Sequence, residues 1–200
     1  MPESPSTPKA FQISGIILAA GLSRRAAPRN KLLLATPGGP PVIRCVASAF
    51  CAVGLNEVIV VTGHQRAEIE DALLGLPLRT VFAADYELGM GHSLATGIRA
   101  ASTESLGFLV SPGDLPGMQV HIVGQVARAF IWHSCEKNIV PSHHGLPGHP
   151  VALVTALRPQ LETLTGDRGA RIFLSTPSEA VRTVLIPVSD NAIRTDNDLG

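Results

Sequence analysis

Ile16–Lys31, IILAAGLSRRAAPRNK, passes from apolar to small to cationic residues. Ile16, Ile17 and Leu18 form a short apolar, β-branched run of the kind found in strands buried on both faces. The run ends at Ala19, Ala20 and Gly21 and then turns basic at Arg24, Arg25, Arg29 and Lys31. Small residues at the end of a buried strand let a ligand approach the backbone. A loop of free amides and cationic side chains suits a polyphosphate. The plain alternative is a strand followed by a solvated basic loop, and spacing alone does not separate the two.

Outward from this stretch the chain alternates. Gly38-Gly39-Pro40-Pro41 is a turn, and Val42–Val53 carries apolar residues at helical spacing. Glu57–Thr62 is a second apolar strand, closed by Gly63-His64. A helix is expected over Gln65–Leu74, with Ile69, Leu73 and Leu74 inward and Gly75 and Pro77 ending it. Arg79–Ala83 reads as a weaker strand, and Gly89-Met90-Gly91-His92-Ser93 leads into a helix through Ala101. Leu106–Val110 is a fourth strand running directly into Ser111-Pro112-Gly113-Asp114-Leu115-Pro116. Val120–His133 reads as a helix, and Asn138–Pro141 and Val151–Val154 as strands.

Strands alternating with helices predict one α/β domain, a mostly parallel sheet with helices on both faces. Ligands of such sheets sit outside the carboxyl ends of the strands. The loops after strands one, two and four then share a crevice, bringing Arg25 and Lys31, Gly63 and His64, and Asp114 together.

Composition narrows the function. Two hundred residues suit a single domain with a sizeable core. Residues 1–12, opening with the Pro- and Ser-bearing Met1–Pro8, are expected to be a disordered tail, and 13–200 the domain. Sixteen Lys and Arg balance sixteen Asp and Glu, which argues against a nucleic-acid surface. Cys45, Cys51 and Cys135 lack CxxC spacing and read as free thiols of a cytoplasmic protein. No apolar run reaches membrane-spanning length, so no membrane partner is expected.

Asp114 follows an apolar strand directly. It can close a turn through its own backbone, or hold Mg²⁺ jointly with phosphate oxygens, since magnesium takes few protein carboxylates. Facing a basic loop, the metal is the favoured role. His143, His144 and His149 lie in the Gly/Pro-rich SHHGLPGHP without a matching Cys or acidic set. They read as histidines meeting solvent or substrate rather than as a zinc site. The GxxxxGK[ST] loop, the Gly-x-Ser-x-Gly elbow and a GxGxxG after the first strand are all absent. Gly166-Asp167-Arg168-Gly169-Ala170-Arg171 opens a helix continuing through Ile172, Phe173 and Leu174. Asp167 reads as its cap; whether Arg168 or Arg171 reaches toward a second phosphate stays open.

LAAGLSRR, NKLLL, VTGH, GMGHSL, GDLP, GHPV and GDRGAR occur here in that order. The set resembles the molybdenum cofactor cytidylyltransferases within the MobA-like nucleotidyltransferases, from about Gly15 to Leu199. The resemblance implies a single Rossmann-like domain of the nucleotide-diphospho-sugar transferase type. It implies an enzyme that transfers CMP from CTP to the terminal phosphate of molybdopterin and releases pyrophosphate, with a molybdenum hydroxylase as possible client. Leu18, Ala19, Ala20 and Gly21 would then recognise the base, with Gly63 and Gly113 beside the nucleotide. Arg25 and Lys31 would bind the triphosphate, and Asp114 would hold Mg²⁺. Ser93 and His149 would lie toward the acceptor. Ala20, where guanylyl relatives carry glycine, resembles the cytidylyl branch, its methyl narrowing the base pocket.

The sequence also departs from that pattern. Ala26 and Ala27 replace a Met-Gly pair, Ala83 replaces an Asn, and Arg194 stands where a second metal-holding Asp is usual. Either one protein carboxylate suffices, or Asp190 or Asp196 substitutes, or activity is lost. Two alternatives to the cytidylyltransferase follow. One is a catalytically degenerate protein that binds and delivers the cofactor. The other is a transferase acting on a sugar or polyol phosphate, or using GTP.

Overall fold

The computed structural model describes residues 11–22, 30–167, 169–170, 174 and 176–194. Its strands are β1 (Phe11–Ala19), β2 (Leu55–Thr62), β3 (Arg79–Phe82), β4 (Gly107–Pro112), β5 (Asn138–His143), β6 (Leu146–Pro147), β7 (Val151–Val154) and β8 (Thr183–Pro187). Its α-helices are α1 (Val42–Cys51), α2 (Arg66–Ala72), α3 (Met90–Ala100), α4 (Val120–Trp132), α5 (Arg158–Glu162) and α6 (Pro177–Arg182). Phe11 and Gln12, assigned from sequence to the disordered tail, instead open β1. Phe11 packs against the core and its N–H donates to Gly54 O at 3.2 Å, which ties this end of the chain to the sheet. Residues 1–10 lie outside the described residues, as do Arg24, Arg25, Arg29, Arg168, Arg171, Ile172, Phe173 and Asp196.

The eight strands form one sheet in the order β3-β2-β1-β4-β7-β5-β6, with β8 pairing β5. Apolar runs at its centre set the register: Ile16 of β1 lies opposite Ile59 of β2 on one side and Val110 of β4 on the other, both pairs parallel. β2–β3 and β5–β8 are also parallel. β7 runs antiparallel to both β4 and β5. The short connection from β5 through the β6 hairpin explains the reversal. His144 and Gly145 both take positive φ there, and a parallel crossover needs a dozen or more residues.

Alternation along β1 sorts its neighbours. Ile17 faces the α1 side, where Ile43 packs, and Ile16 faces α3; a Cβ built on Gly97 of α3 would lie 2.7 Å from Ile16 Cγ2. α1 and α4 contact each other on the first face, while α3 covers β1 and β2 on the second with α5 behind it. Gly15 lets α1 come close, because a Cβ there would meet Leu55 and Phe50 at 2.8 and 2.9 Å. Phe50, Phe108 and Phe130 are fully buried. Each such side chain contributes roughly 1.5–3 kcal/mol of apolar burial.

The chain runs from β1 outward to β2 and β3, then returns to place β4 on the other side of β1. Strand order therefore reverses between β1 and β4, and ligand crevices of open α/β sheets lie at such a point. Because β7 is antiparallel to both β4 and β5, the carboxyl ends of β1, β2, β4, β5 and β8 share one rim, together with the start of β7.

Candidate active site

The rim at the β1/β4 junction is tied together by backbone. Gly113 N–H donates to Leu18 O at 2.9 Å, joining the end of β4 to that of β1. A side chain at Gly113 would lie 2.7 Å from Ile43 Cδ1 and 3.1 Å from Leu18 O, so this position has little room for anything larger than hydrogen. Asp114 follows, held where the strand releases it.

Lys31 reaches the same place from the other loop. Asn30 is buried and its Oδ1 accepts the Leu32 N–H at 3.1 Å, a local turn that presents Lys31 between them. Leu32 is anchored in the core. Its carbonyl accepts the Ile43 N–H at 3.0 Å, and Leu34 O accepts the Val42 N–H at 3.0 Å. Loop carbonyls thus satisfy the opening amides of α1, and the loop is fastened to that helix. Lys31 Nζ forms an ion pair with Asp114 Oδ2, the two side chains being 24% and 18% exposed. The cation after the first strand and the carboxylate after the fourth meet in one crevice.

The end of β2 closes the near side. His64 N–H donates to Ala20 O at 3.3 Å. Gly63 is wedged between Ala20 and Tyr86: a Cβ there would meet Tyr86 Cγ at 2.6 Å and both Ala20 Cβ and Ala20 O at 2.8 Å. Ala19 is fully buried and Ala20 is 2% exposed, so the Ala20 methyl contributes packing against the Gly63 turn rather than open pocket surface. Gly21 is exposed, and among the described residues nothing lies within 4 Å of the position its side chain would take. Sequence reasoning missed Tyr86 and Asn30. The only signals were an aromatic in a loop and an Asn directly before the site lysine.

Ser93 and His149 stand on different segments. Ser93 is buried on α3, the helix over β1 and β2. The start of that helix is docked on another quoted motif, with Gly91 N–H donating to Gly166 O at 2.7 Å. His149 stands at the start of β7, across β1 and β4 from α3 in the sheet order, and its N–H donates to Ile193 O at 2.9 Å. His143 and His144 sit at the end of β5, their rings 4.2 Å apart, and His143 Nδ1 lies 3.0 Å from Val188 O.

Asp190 is already engaged. Its Oδ1 accepts the Ala192 N–H at 2.8 Å, and its Oδ2 accepts from Gln119 Nε2 at 3.2 Å. It serves as a local cap. Among the described residues no group of three or more His, Cys, Asp or Glu could form a metal nest. No described helix is long and apolar enough to cross a membrane.

A mostly parallel sheet with a cation and a carboxylate paired at its switch point puts a charged crevice where open α/β sheets bind their ligands. The chain belongs to the MobA-like NTP transferase domain family, which it matches over residues 15–182. Among solved structures it is similar to a nucleotidyl transferase from Methanothermobacter thermautotroptrophicus, with 26% identity, 89% and 88% of the two chains covered and a TM-score of 0.73. It is likewise similar to Rv0371c from Mycobacterium tuberculosis H37Rv, with 21% identity, 90% of each chain and a TM-score of 0.75. A curated relative, the bifunctional protein GlmU of Syntrophomonas wolfei, is 30% identical over 119 residues, or 60% of this chain. The alignment spans about a quarter, 26%, of that relative's length.

Proposed function

We propose that the protein transfers CMP from CTP to the terminal phosphate of molybdopterin and releases pyrophosphate. The observation that carries the transferase reading is the meeting of Lys31 and Asp114 at the β1/β4 switch point. The ordered motifs from LAAGLSRR to GDRGAR support the choice of nucleotide and acceptor.

An oxygen of the acceptor phosphate attacks the α-phosphorus of CTP. The bond from that phosphorus to the bridging oxygen breaks, and the electron pair leaves with pyrophosphate. The attacking group is already ionised, so no general base is needed. The chain's task is to align two anions and offset charge as it builds on the leaving group. In this reading Lys31 turns from Asp114 to the triphosphate, joined by Arg25. Leu18–Gly21, with Gly63 and Gly113, form the backbone floor that the nucleotide approaches.

A single carboxylate flanked by a cation, with no nest of further ligands among the described residues, fits magnesium, which keeps water and substrate phosphates as its other ligands. Asp114 would hold it. When bound, Mg²⁺ would offset charge on the phosphate oxygens.

A second reading, binding and delivery without turnover, is favoured by one observation: Asp190, the one Asp or Glu of described residues 188–194, is engaged by the Ala192 N–H and by Gln119. One assay separates these readings. Purified protein with Mg²⁺ is given each of the four NTPs with molybdopterin, and in parallel with sugar and polyol phosphates, and pyrophosphate is measured. Release from CTP with molybdopterin alone supports the proposal. Binding of both without release favours delivery, and release only with another acceptor or with GTP replaces the proposed substrates.

A further inference from the structure

Arg194 follows a bracket that fixes its backbone. Ile193 is fully buried, and its carbonyl accepts the His149 N–H at 2.9 Å. Two glycines make room for this segment. A Cβ on Gly148 would lie 2.5 to 2.7 Å from the Ile193 side chain, and one on Gly117 would lie 2.7 Å from Ala192 Cβ. Arg194 N–H donates to Asn191 O at 3.0 Å. The segment is thus clamped between the loop that carries Asp114 and the loop that carries His149.

The direction of β8 places this bracket. β8 is parallel to β5, and both point the same way as β4, so residues 188–194 emerge on the rim that carries Asp114. On the part of that rim beyond Asp114, in the loops 115–119, 144–150 and 188–194, Arg194 is the one Lys or Arg among the described residues. It is exposed, and among the described residues its guanidinium has no hydrogen-bond or salt-bridge partner. Among the described residues Asp190 is the acid nearest in sequence, and both of its carboxylate oxygens accept hydrogen bonds from other groups.

We propose that Arg194 receives the acceptor's phosphate, which makes this half of the rim a subsite for phosphomonoesters. The inference rests on the transferase reading above and deepens it. Two phosphate groups must approach each other for the reaction, and their repulsion calls for a cation on the acceptor side as well as beside the triphosphate. A guanidinium presents a planar fork of donors that matches phosphate oxygens, and it stays charged at every working pH.

The test uses the full chain with Mg²⁺ and the non-transferable analogue α,β-methylene-CTP, and methyl phosphate as the acceptor probe, both followed by calorimetry. Arg194→Gln is expected to weaken methyl phosphate about 10- to 100-fold, the scale of losing a hydrogen bond to a charged group. Analogue affinity should stay within about twofold, which also reports that the variant is folded, and Arg194→Lys should recover part of the loss. Unchanged methyl phosphate affinity in Arg194→Gln overturns the assignment. So does a wild-type protein that binds the analogue but not methyl phosphate. Failure of the wild type to bind the analogue would instead overturn the transferase reading, and this inference with it.

Discussion

Gly63→Ala probes the crevice wall directly. The added methyl would sit 2.6 Å from Tyr86 Cγ and 2.8 Å from both Ala20 Cβ and Ala20 O. The Tyr86 ring can swing, being half-buried, but the Ala20 carbonyl cannot retreat without giving up the His64 N–H. Overpacking of this kind costs about 1–3 kcal/mol. For a chain of this length that corresponds to a fall in Tm of roughly 2–12 °C. Gly21→Ala is the stability control, since among the described residues nothing lies within 4 Å of its new methyl, and its stability should stay within about 0.5 kcal/mol. Calorimetric melting of the three proteins reads the difference, and CTP titration should show weaker binding for Gly63→Ala than for the wild type. A Gly63→Ala protein that melts with the wild type and binds CTP equally well would refute the tight wall.

Two further predictions concern titratable groups away from the rim. Burial pushes the Glu57 carboxyl upward. The Ser102 N–H, the Ser14 hydroxyl and the Arg79 guanidinium together outweigh that and hold it below the ordinary value of 4.5. A depressed value in the folded state stabilises above pH 4.5 and is lost as pH falls through the folded value. Glu57→Gln should therefore be less stable than wild type near pH 7, by about 0.5–1 kcal/mol for the partly exposed pair with Arg79, and the gap should close on acidification. Urea melts across pH 3–7 check this, and a gap independent of pH would contradict it. Burial raises the Cys51 thiol to about 11. At pH 8 iodoacetamide should then label it roughly 100-fold more slowly in the folded protein than in denaturant, and equal rates by mass spectrometry would contradict that.

The parts of the fold legible in the sequence were those whose signal is local. β1, β2 and β4 declare themselves as apolar runs because they are buried on both faces, and α1 and α4 by apolar spacing. β8 was missed because it pairs only with β5: Thr183–Pro187 alternates between half-buried and exposed positions and opens on a polar residue. The run SHHGLPGHP reads as a loop because its Gly and Pro mark turns. Folded, it forms the β6 hairpin that reverses β7, a pairing decided by the strand already in place. Lys31 and Asp114 were readable as partners because the carboxyl-end rule depends on strand order alone. The engagement of Asp190 was not, because its two acceptor roles depend on Gln119, far away in sequence, and on the turn at Ala192.

If Asp114 and Lys31 serve one triphosphate, CTP affinity with Mg²⁺ and with EDTA must respond to both side chains, as wild type, Asp114→Asn and Lys31→Gln would show. Wild type should bind more tightly with Mg²⁺, Asp114→Asn should lose that gain, and Lys31→Gln should bind more weakly under both conditions. An Asp114→Asn protein that keeps the full magnesium gain, or a Lys31→Gln protein that binds CTP as the wild type does, would contradict it.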